Sequence, residues 1–438
     1  MQKEGQDIQV FWFRRDLRLT DNVGLYNALQ DKRYPVFPLF IFDTDILSSL
    51  PSTYDKRVDY IHQILTSLNQ ELHQLGSSLM VEIGKPTEVF EKLTTQFTIK
   101  AVHTNSDYEP YAIQRDKEVR SLLHTKGITL HTYTDQVIFA PGEVIKADGS
   151  PYTIFTPFSK IWLRKYEQLP HQEYTTDAYK KNWLSTPAQE IPSLAKCGFK
   201  KTSIQYTPPS IPYSIIDNYT DTRNFPAING TSTLSIHLRF GTISIRQLAR
   251  IAFTRNHTYV SELIWRDFFM QILYFFPHVQ TNAFKPKYDA IEWRNDTAEF
   301  SRWCNGTTGY PLVDAGMRQL NETGWMHNRV RMVVASFLCK HLLVDWRWGE
   351  AYFATKLMDY DLSANNGNWQ WAAGCGCDAA PYFRVFNPTE QAKKFDSNSE
   401  YIRQWIPEVD TNKYATPIVE HTFARNRAIE TYKKAISG

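Results

Sequence analysis

Long apolar runs are missing from this chain. Nowhere do about 18 apolar residues stand in succession, so no segment reads as a bilayer-spanning helix. Cysteine is scarce: 5 in 438 residues, an odd number scattered along the chain, which does not read as a disulfide framework. Cys375-Gly376-Cys377 has one intervening residue and no partner pair at metal-ligand spacing, so it reads as incidental rather than as a zinc site. Neither sign of charge prevails. With 49 Lys+Arg against 46 Asp+Glu the formal charge is +3, and a basic surface for an anionic partner has to be a local patch. The first residues, Met1 to Asp7, lack the apolar core of a secretion signal. Internal repeats and low-complexity tracts are absent too. These absences predict a soluble, cytoplasmic protein with no membrane association.

The length exceeds what one ordinary core fills and suits two domains. Short apolar runs at Ile8–Phe13, Val36–Phe42, Leu79–Ile83, Lys100–Thr104 and Ile128–Tyr133 read as strands. Helical spacing fills the gaps, clearest at Tyr60, Ile64, Leu68, Leu72 and Leu75. Strands alternating with helices predict a doubly wound parallel α/β sheet over 1–135. This half has no G-x-G-x-x-G or G-x-x-x-x-G-K-[ST], so nothing warrants a dinucleotide or P-loop site there. From roughly Gln168 to Pro212 the chain is rich in Pro, Lys, Ser and Thr with weak periodicity, which predicts an interdomain linker over 136–215. The remainder, 216–438, reads as all-helical. Ser261 to Phe276 is an aromatic-rich helix stopped by Pro277, and Val330, Val333, Val334, Phe337, Leu338 and His341 form one face of another.

Tryptophan is abundant where the helices are: nine of the 12 lie beyond residue 260. The densest chemistry is Asp359-Tyr-Asp361-Leu-Ser-Ala-Asn365-Asn-Gly-Asn-Trp369-Gln-Trp371, with two carboxylates at i, i+2, several amides and two tryptophans. Buried polar groups cost free energy unless paired. The stretch therefore reads either as the lining of a site for a flat, hydrogen-bonding molecule or as a wet loop before an aromatic anchor. Thr231-Ser232-Thr233-Leu234-Ser235 clusters hydroxyls at a helix start, a phosphate-binding arrangement or a plain N-cap. Glu262 and Arg266 stand four apart and read as well as an ordinary helix ion pair.

Taken together, the motifs resemble the photolyase/cryptochrome family of flavin-dependent blue-light proteins. The resemblance is carried by Thr-Gly-Trp-Met-His-Asn-Arg (Thr323 to Arg329), Asn-Asn-Gly-x-Trp-Gln-Trp (Asn365 to Trp371) and Asp-Ala-Ala-Pro-Tyr-Phe-Arg (Asp378 to Arg384). Phe386-Asn-Pro388 and the N-terminal Trp-Phe-Arg-Arg-Asp-Leu-Arg (Trp12 to Arg18) match as well, in the family's order over nearly the whole chain. Within the family the chain is most like the bacterial class I cyclobutane pyrimidine dimer enzymes.

The resemblance implies FAD in the helical domain, held by Tyr219, Thr231, Ser232, Thr233, Leu234, Ser235, Tyr259, Arg331, Asp359, Asp361 and Asn365. Arg331 would pair with Asp359, and Asn365 would face the flavin N5. Trp369, Trp346 and Trp293 match the family's electron-carrying tryptophan chain. Trp265 and Trp371 would wall the pocket for a flipped dimer, Glu262 and Asn328 would hydrogen-bond it, and Met332 would line the same pocket. Arg223, Arg329 and Gln391 match DNA-contacting positions. Asp107 and Glu109 lie where a second, light-gathering chromophore is bound in relatives, either methenyltetrahydrofolate or 8-hydroxy-5-deazaflavin. Tyr259 departs from the commoner Trp, and Cys375 and Cys377 replace hydroxyl residues of some relatives.

The implied activity is that of a carbon–carbon lyase. Reduced FAD, excited by blue light, lends an electron that splits the dimer and returns without net redox change. UV-damaged DNA is the expected partner of a monomeric protein that needs no protein partner. A cryptochrome-type photoreceptor without repair activity is the alternative. Both pocket tryptophans beside Glu262, and a chain that ends about thirty residues after Trp405, weigh against it. Repair of the (6-4) photoproduct ranks below both, because Asn328 stands where those enzymes have a second histidine.

Overall fold

A computed structural model describes residues 6–170 and 172–437 of the chain. Most of Met1 to Asp7, the stretch without a secretion signal's apolar core, lies outside the described residues. The chain folds as two compact units, each assembled from separated segments. The first takes Met1–Ala140, Gln168–Ile211 and Leu234–Ile251; the second takes Pro141–Glu167, Pro212–Thr233 and Ala252–Gly438.

The first unit is built on five strands: β1 (Asp7–Phe13), β2 (Val36–Asp43), β3 (Met80–Gly84), β4 (Thr98–Asn105) and β5 (Thr129–Tyr133). All pair in parallel, in the order β3-β2-β1-β4-β5, with Gln9 opposite Val36 and Val10 opposite Val102. β1 and β2 are almost continuously apolar because helices cover both faces, leaving no solvent side to alternate with. The strand order reverses between β1 and β4, and the carboxyl ends there carry Arg14, Arg15, Asp16 and Asn105 to Asp107.

The expected division at 135 and 215, with a linker between, does not hold. Residues 168–211 are bound along the sheet unit, where Trp183 bridges Val36, Asn69 Nδ2 donates to Gln189 O at 2.7 Å, and Asp59 accepts from Thr202. Side-chain-to-backbone bonds leave no hydrophobic period, which is why the stretch reads as linker. The helix Phe155–Glu167 belongs instead to the second unit, where Trp162 Nε1 donates to Asp267 at 2.9 Å.

The regular elements of the second unit's described residues are helices, joined by irregular stretches one of which carries an isolated bridge between Ile145 and Pro151. The aromatic-rich helix spans His257–Phe275, starting before Ser261 because the Asn256 side chain accepts from Tyr259 N at 3.1 Å and caps it there. The helix Asn328–Ser336 gives way to a π-turn, Phe337–His341, instead of running on unbroken. Leu362–Ala373 packs against His257–Phe275 and against Trp346–Lys356. Two glycines permit this closeness. A Cβ on Gly367 would run into the Phe269 ring, and one on Gly349 into Trp369. Trp303, Phe337, Trp346, Phe353 and Trp369 form part of one buried cluster. Each large side chain so buried contributes about 1.5–3 kcal/mol from area removed from water.

Candidate functional site

The helix Leu362–Ala373 begins where Asp361, extended at φ −131°, accepts from Ala364 N at 3.2 Å and from the Ser363 hydroxyl. The second carboxylate of the stretch does different work. Asp359 accepts from Arg331 Nη2 at 2.9 and 3.2 Å, and Arg331 Nε donates to Met326 O at 2.7 Å. Arg331 and Asp359 thus pair as anticipated. The two carboxylates two residues apart are one helix cap and one ion-pair partner, and both border an open cleft of about 610 Å³.

The amides divide in the same way. Asn366 Nδ2 donates to Val279 O; Gln370 donates to Val279 O and Asn282 O and accepts from Phe284 N. These two serve the fold by saturating an irregular backbone segment. Asn365 lines the cleft, and its Nδ2 donates to Glu350 Oε1 at 2.9 Å and Glu350 O at 3.1 Å. With the nitrogen committed, the side-chain oxygen is the group Asn365 offers to the cleft. Burial raises the Glu350 carboxyl above its ordinary range, against the opposing pull of the Asn365 bond.

Asn328, Met332, Trp369 and Trp371 line the same cleft. A second group of expected site residues gathers apart from this lining. Arg223 Nη1 pairs with Glu262 Oε1 at 2.5 Å and stacks over Tyr219 at 5.2 Å. Tyr219 meets Tyr259 edge-on at 5.0 Å, and the Tyr259 hydroxyl bonds Ser232 Oγ at 2.8 Å. Burial pushes the Glu262 carboxyl up, and Arg223 offsets only part of it. Thr233 adopts the left-handed φ of +53°, so the backbone turns sharply before the short helix Ser235–Phe240. Leu234 and Ser235 fall in the first unit, whereas Thr231 to Thr233 fall in the second.

Trp265 is half-buried, with Phe155 stacked on it. Trp369 and Trp346 are each 2% exposed and Trp293 is half-buried. Trp369 makes its ring contacts with Phe353 at 5.0 Å and Trp303 at 6.1 Å, Trp346 lies under the Arg347 guanidinium, and Trp293 meets Tyr432 at 5.8 Å. Arg329 donates to Asn224 at 2.6 Å and lies over Phe395, on the helix Pro388–Phe395 that also carries Gln391. In the first unit, Asp107 and Glu109 both pair with Arg15, at 3.3 and 2.8 Å. Burial opposes the charge on Asp107, but Arg15, Arg14 and two further arginines outweigh it and bring its carboxyl to about 2.

Glu350 went unread in the sequence. On a helix an isolated acid looks like solvated surface, and only its position opposite Asn365 reveals it. Phe155 was hidden for the converse reason: its contacts lie more than a hundred residues away.

The chain has known relatives over almost its full extent. Residues 259–412 match the family model described as the FAD binding domain of DNA photolyase, and residues 9–176 match the DNA photolyase model. The deoxyribodipyrimidine photo-lyase of Synechococcus sp. is 37% identical, the alignment covering 97% of this chain and 96% of that protein. Among solved structures, the bacterial class III photolyase from Agrobacterium tumefaciens superposes with a TM-score of 0.87 at 31% identity, covering 99% of this chain and 98% of the other. The Sulfolobus tokodaii photolyase with two FAD molecules gives 0.83 at 34%, covering 98% and 100%. The Synechocystis cryptochrome gives 0.85 at 25%, again covering 98% and 100%. On relatedness of this depth and coverage, the chain belongs to the DNA photolyase family.

Proposed function

We propose that this protein repairs cyclobutane pyrimidine dimers in DNA with light, using FAD bound in the helical unit. The supporting observation is that one cleft is lined both by residues matched to flavin (Arg331, Asp359, Asp361, Asn365) and by residues matched to the dimer (Asn328, Met332, Trp371). Cofactor and substrate can then meet without a protein wall between them. The donor set suits a flavin. Asn365 presents a carbonyl oxygen, which favours a ligand atom that carries a proton, and Arg331 has its charge balanced by Asp359. Tyr219, Tyr259 and the hydroxyls of Thr231 to Thr233 would hold the rest of the molecule. When bound and reduced, FAD supplies a photoexcited electron that opens the cyclobutane ring.

The chain's own groups then have distinct tasks. Glu262, which burial pushes toward the neutral acid while Arg223 offsets part of that, is suited in its neutral form to donate to a pyrimidine carbonyl on which negative charge develops. Asn328 supplies an amide at the cleft mouth, and Trp371 an apolar face. Trp369, Trp346 and Trp293 are sources of electrons for keeping the cofactor reduced. Arg223, Arg329 and Gln391 position the DNA strand without reading its sequence. Asp107 and Glu109, clamped by Arg15, border the place for an antenna chromophore of either kind. We place the protein in the cytoplasm, acting as a monomer. No described helix is long and apolar enough to cross a membrane.

The deciding experiment is illumination of the purified, reduced holoprotein with dimer-bearing oligothymidine, followed at the thymine absorbance band. Recovery in light and none in darkness is expected. FAD bound with no recovery points to a cryptochrome-type photoreceptor instead.

A further inference from the structure

The Asp-Ala-Ala-Pro-Tyr-Phe-Arg motif that opens at Asp378 has no part in the chemistry described so far, and neither has Phe155. The two meet. Phe155 is the first residue of the helix Phe155–Glu167, where backbone N–H groups have no partner within the helix. Asp378 Oδ2 accepts the Phe155 N–H at 3.0 Å. A carboxylate in that place satisfies an orphan donor and lies at the positive end of the helix dipole.

The Phe155 ring lies on Trp265 with centroids 3.7 Å apart and planes within 2° of parallel. Such close overlap is not what two aromatic rings choose: their quadrupoles favour offset or edge-on contact. Something must impose it. Phe268 presses edge-on against both rings, at 5.9 Å from Phe155 and 5.5 Å from Trp265, while Phe269 packs on Trp265 at 5.3 Å. The Asp378 bond fixes the backbone from which Phe155 projects.

We propose that Asp378 and Phe155 are positioning residues for the substrate pocket: Asp378 clamps the start of the helix, and the clamp lays Phe155 on Trp265 so that the indole is offered in a single plane. This rests on the reading of Trp265 as a wall for the dimer. A wall fixed beforehand spares the ordering cost that a swinging indole would charge to binding.

The test is dark binding of the FAD-loaded protein to labelled oligothymidine, with and without cyclobutane dimers. Phe155→Ala and Asp378→Ala should each weaken binding of the dimer-bearing strand by about tenfold, the scale of one aromatic contact, and leave the undamaged strand unaffected. Asp378→Asn keeps an oxygen able to accept the Phe155 N–H and should restore most of the loss. In a Trp265→Ala background neither alanine change should add anything, because they act through that indole. Losses that persist in that background, that fall equally on both strands, or that do not occur would overturn the clamp. Should Asp378→Ala not fold, Phe155→Ala, which removes only a half-buried ring, carries the same comparison. A wild-type protein that does not prefer the dimer-bearing strand overturns the pocket reading and the clamp with it. Preference in the wild type with unchanged variants overturns the clamp alone.

Discussion

Asn365 is the residue on which the site's polarity turns, and Glu350 decides which end of that amide faces the cleft. Removing the acid should cost a charge-assisted hydrogen bond of about 1.5–3 kcal/mol and leave the amide held only by the Glu350 carbonyl. Glu350→Ala is therefore expected to weaken FAD retention by tenfold or more on that scale. Glu350→Gln, which keeps an acceptor, should hold it nearly unchanged. Equilibrium dialysis against FAD reads the difference. Arg331 and Asp359 invite a second comparison. Arg331→Ala strands a buried carboxylate and should destabilise the fold by about 3–5 kcal/mol, whereas replacing both partners with apolar residues should cost much less. Urea denaturation of the three proteins checks this.

At the scale of elements, the site depends on how closely three helices approach. Gly349 would ordinarily be improved by alanine, since glycine in a helix interior costs about 1 kcal/mol. Here the added methyl meets the Trp369 ring, so Gly349→Ala should instead destabilise by about 1–3 kcal/mol through overpacking. Calorimetry gives the sign. Legibility from sequence sorts along the same line. The five strands and the helices between them were readable because a buried parallel sheet writes continuous apolar runs. The Arg331–Asp359 pair was reached through motif resemblance. What stayed unreadable depends on partners distant in sequence: the π-turn, which no local period announces, the packing of 168–211 on the sheet, and the Glu350–Asn365 bond. The amides of 365–370 share one composition yet divide between fold and cleft, a division that only their partners reveal.

For the whole molecule, pH offers a test that needs no cofactor. Burial brings His103 and His327 down to about 4, and His341 lower still, to about 3. His103 is satisfied as a neutral ring, between the Tyr133 hydroxyl and Gln9 Oε1. An unfolded chain protonates its histidines near 6.5. As pH falls through that value the unfolded state gains protons that the folded state refuses, so stability should drop between about pH 6.5 and pH 4. Lys340 acts in the same sense higher up. Burial lowers its ammonium to about 7, although Ala373 O and Tyr382 O accept from it. Folded and unfolded pKa values then differ from about 7 to 10.4, and the contribution of Lys340 to stability should climb with pH across that window. Melting temperatures should rise from pH 5 to about 8, above which the five thiols, all pushed up by burial, oppose Lys340, and Lys340→Met should reduce the slope above pH 7.

The π-turn Phe337–His341 takes up one residue more than an α-helical turn would, between the Arg331 helix and Trp346. Each helical residue rotates the chain by about 100°, so deleting one there would turn the remaining residues of that segment to new bearings and shift the irregular link 342–345 that leads to Trp346. Lys340 and His341 would leave the directions they now hold, and Trp346 would enter its helix from another angle. A length change of one residue would thus reach Trp346 and the buried Lys340 together, with no change in composition elsewhere.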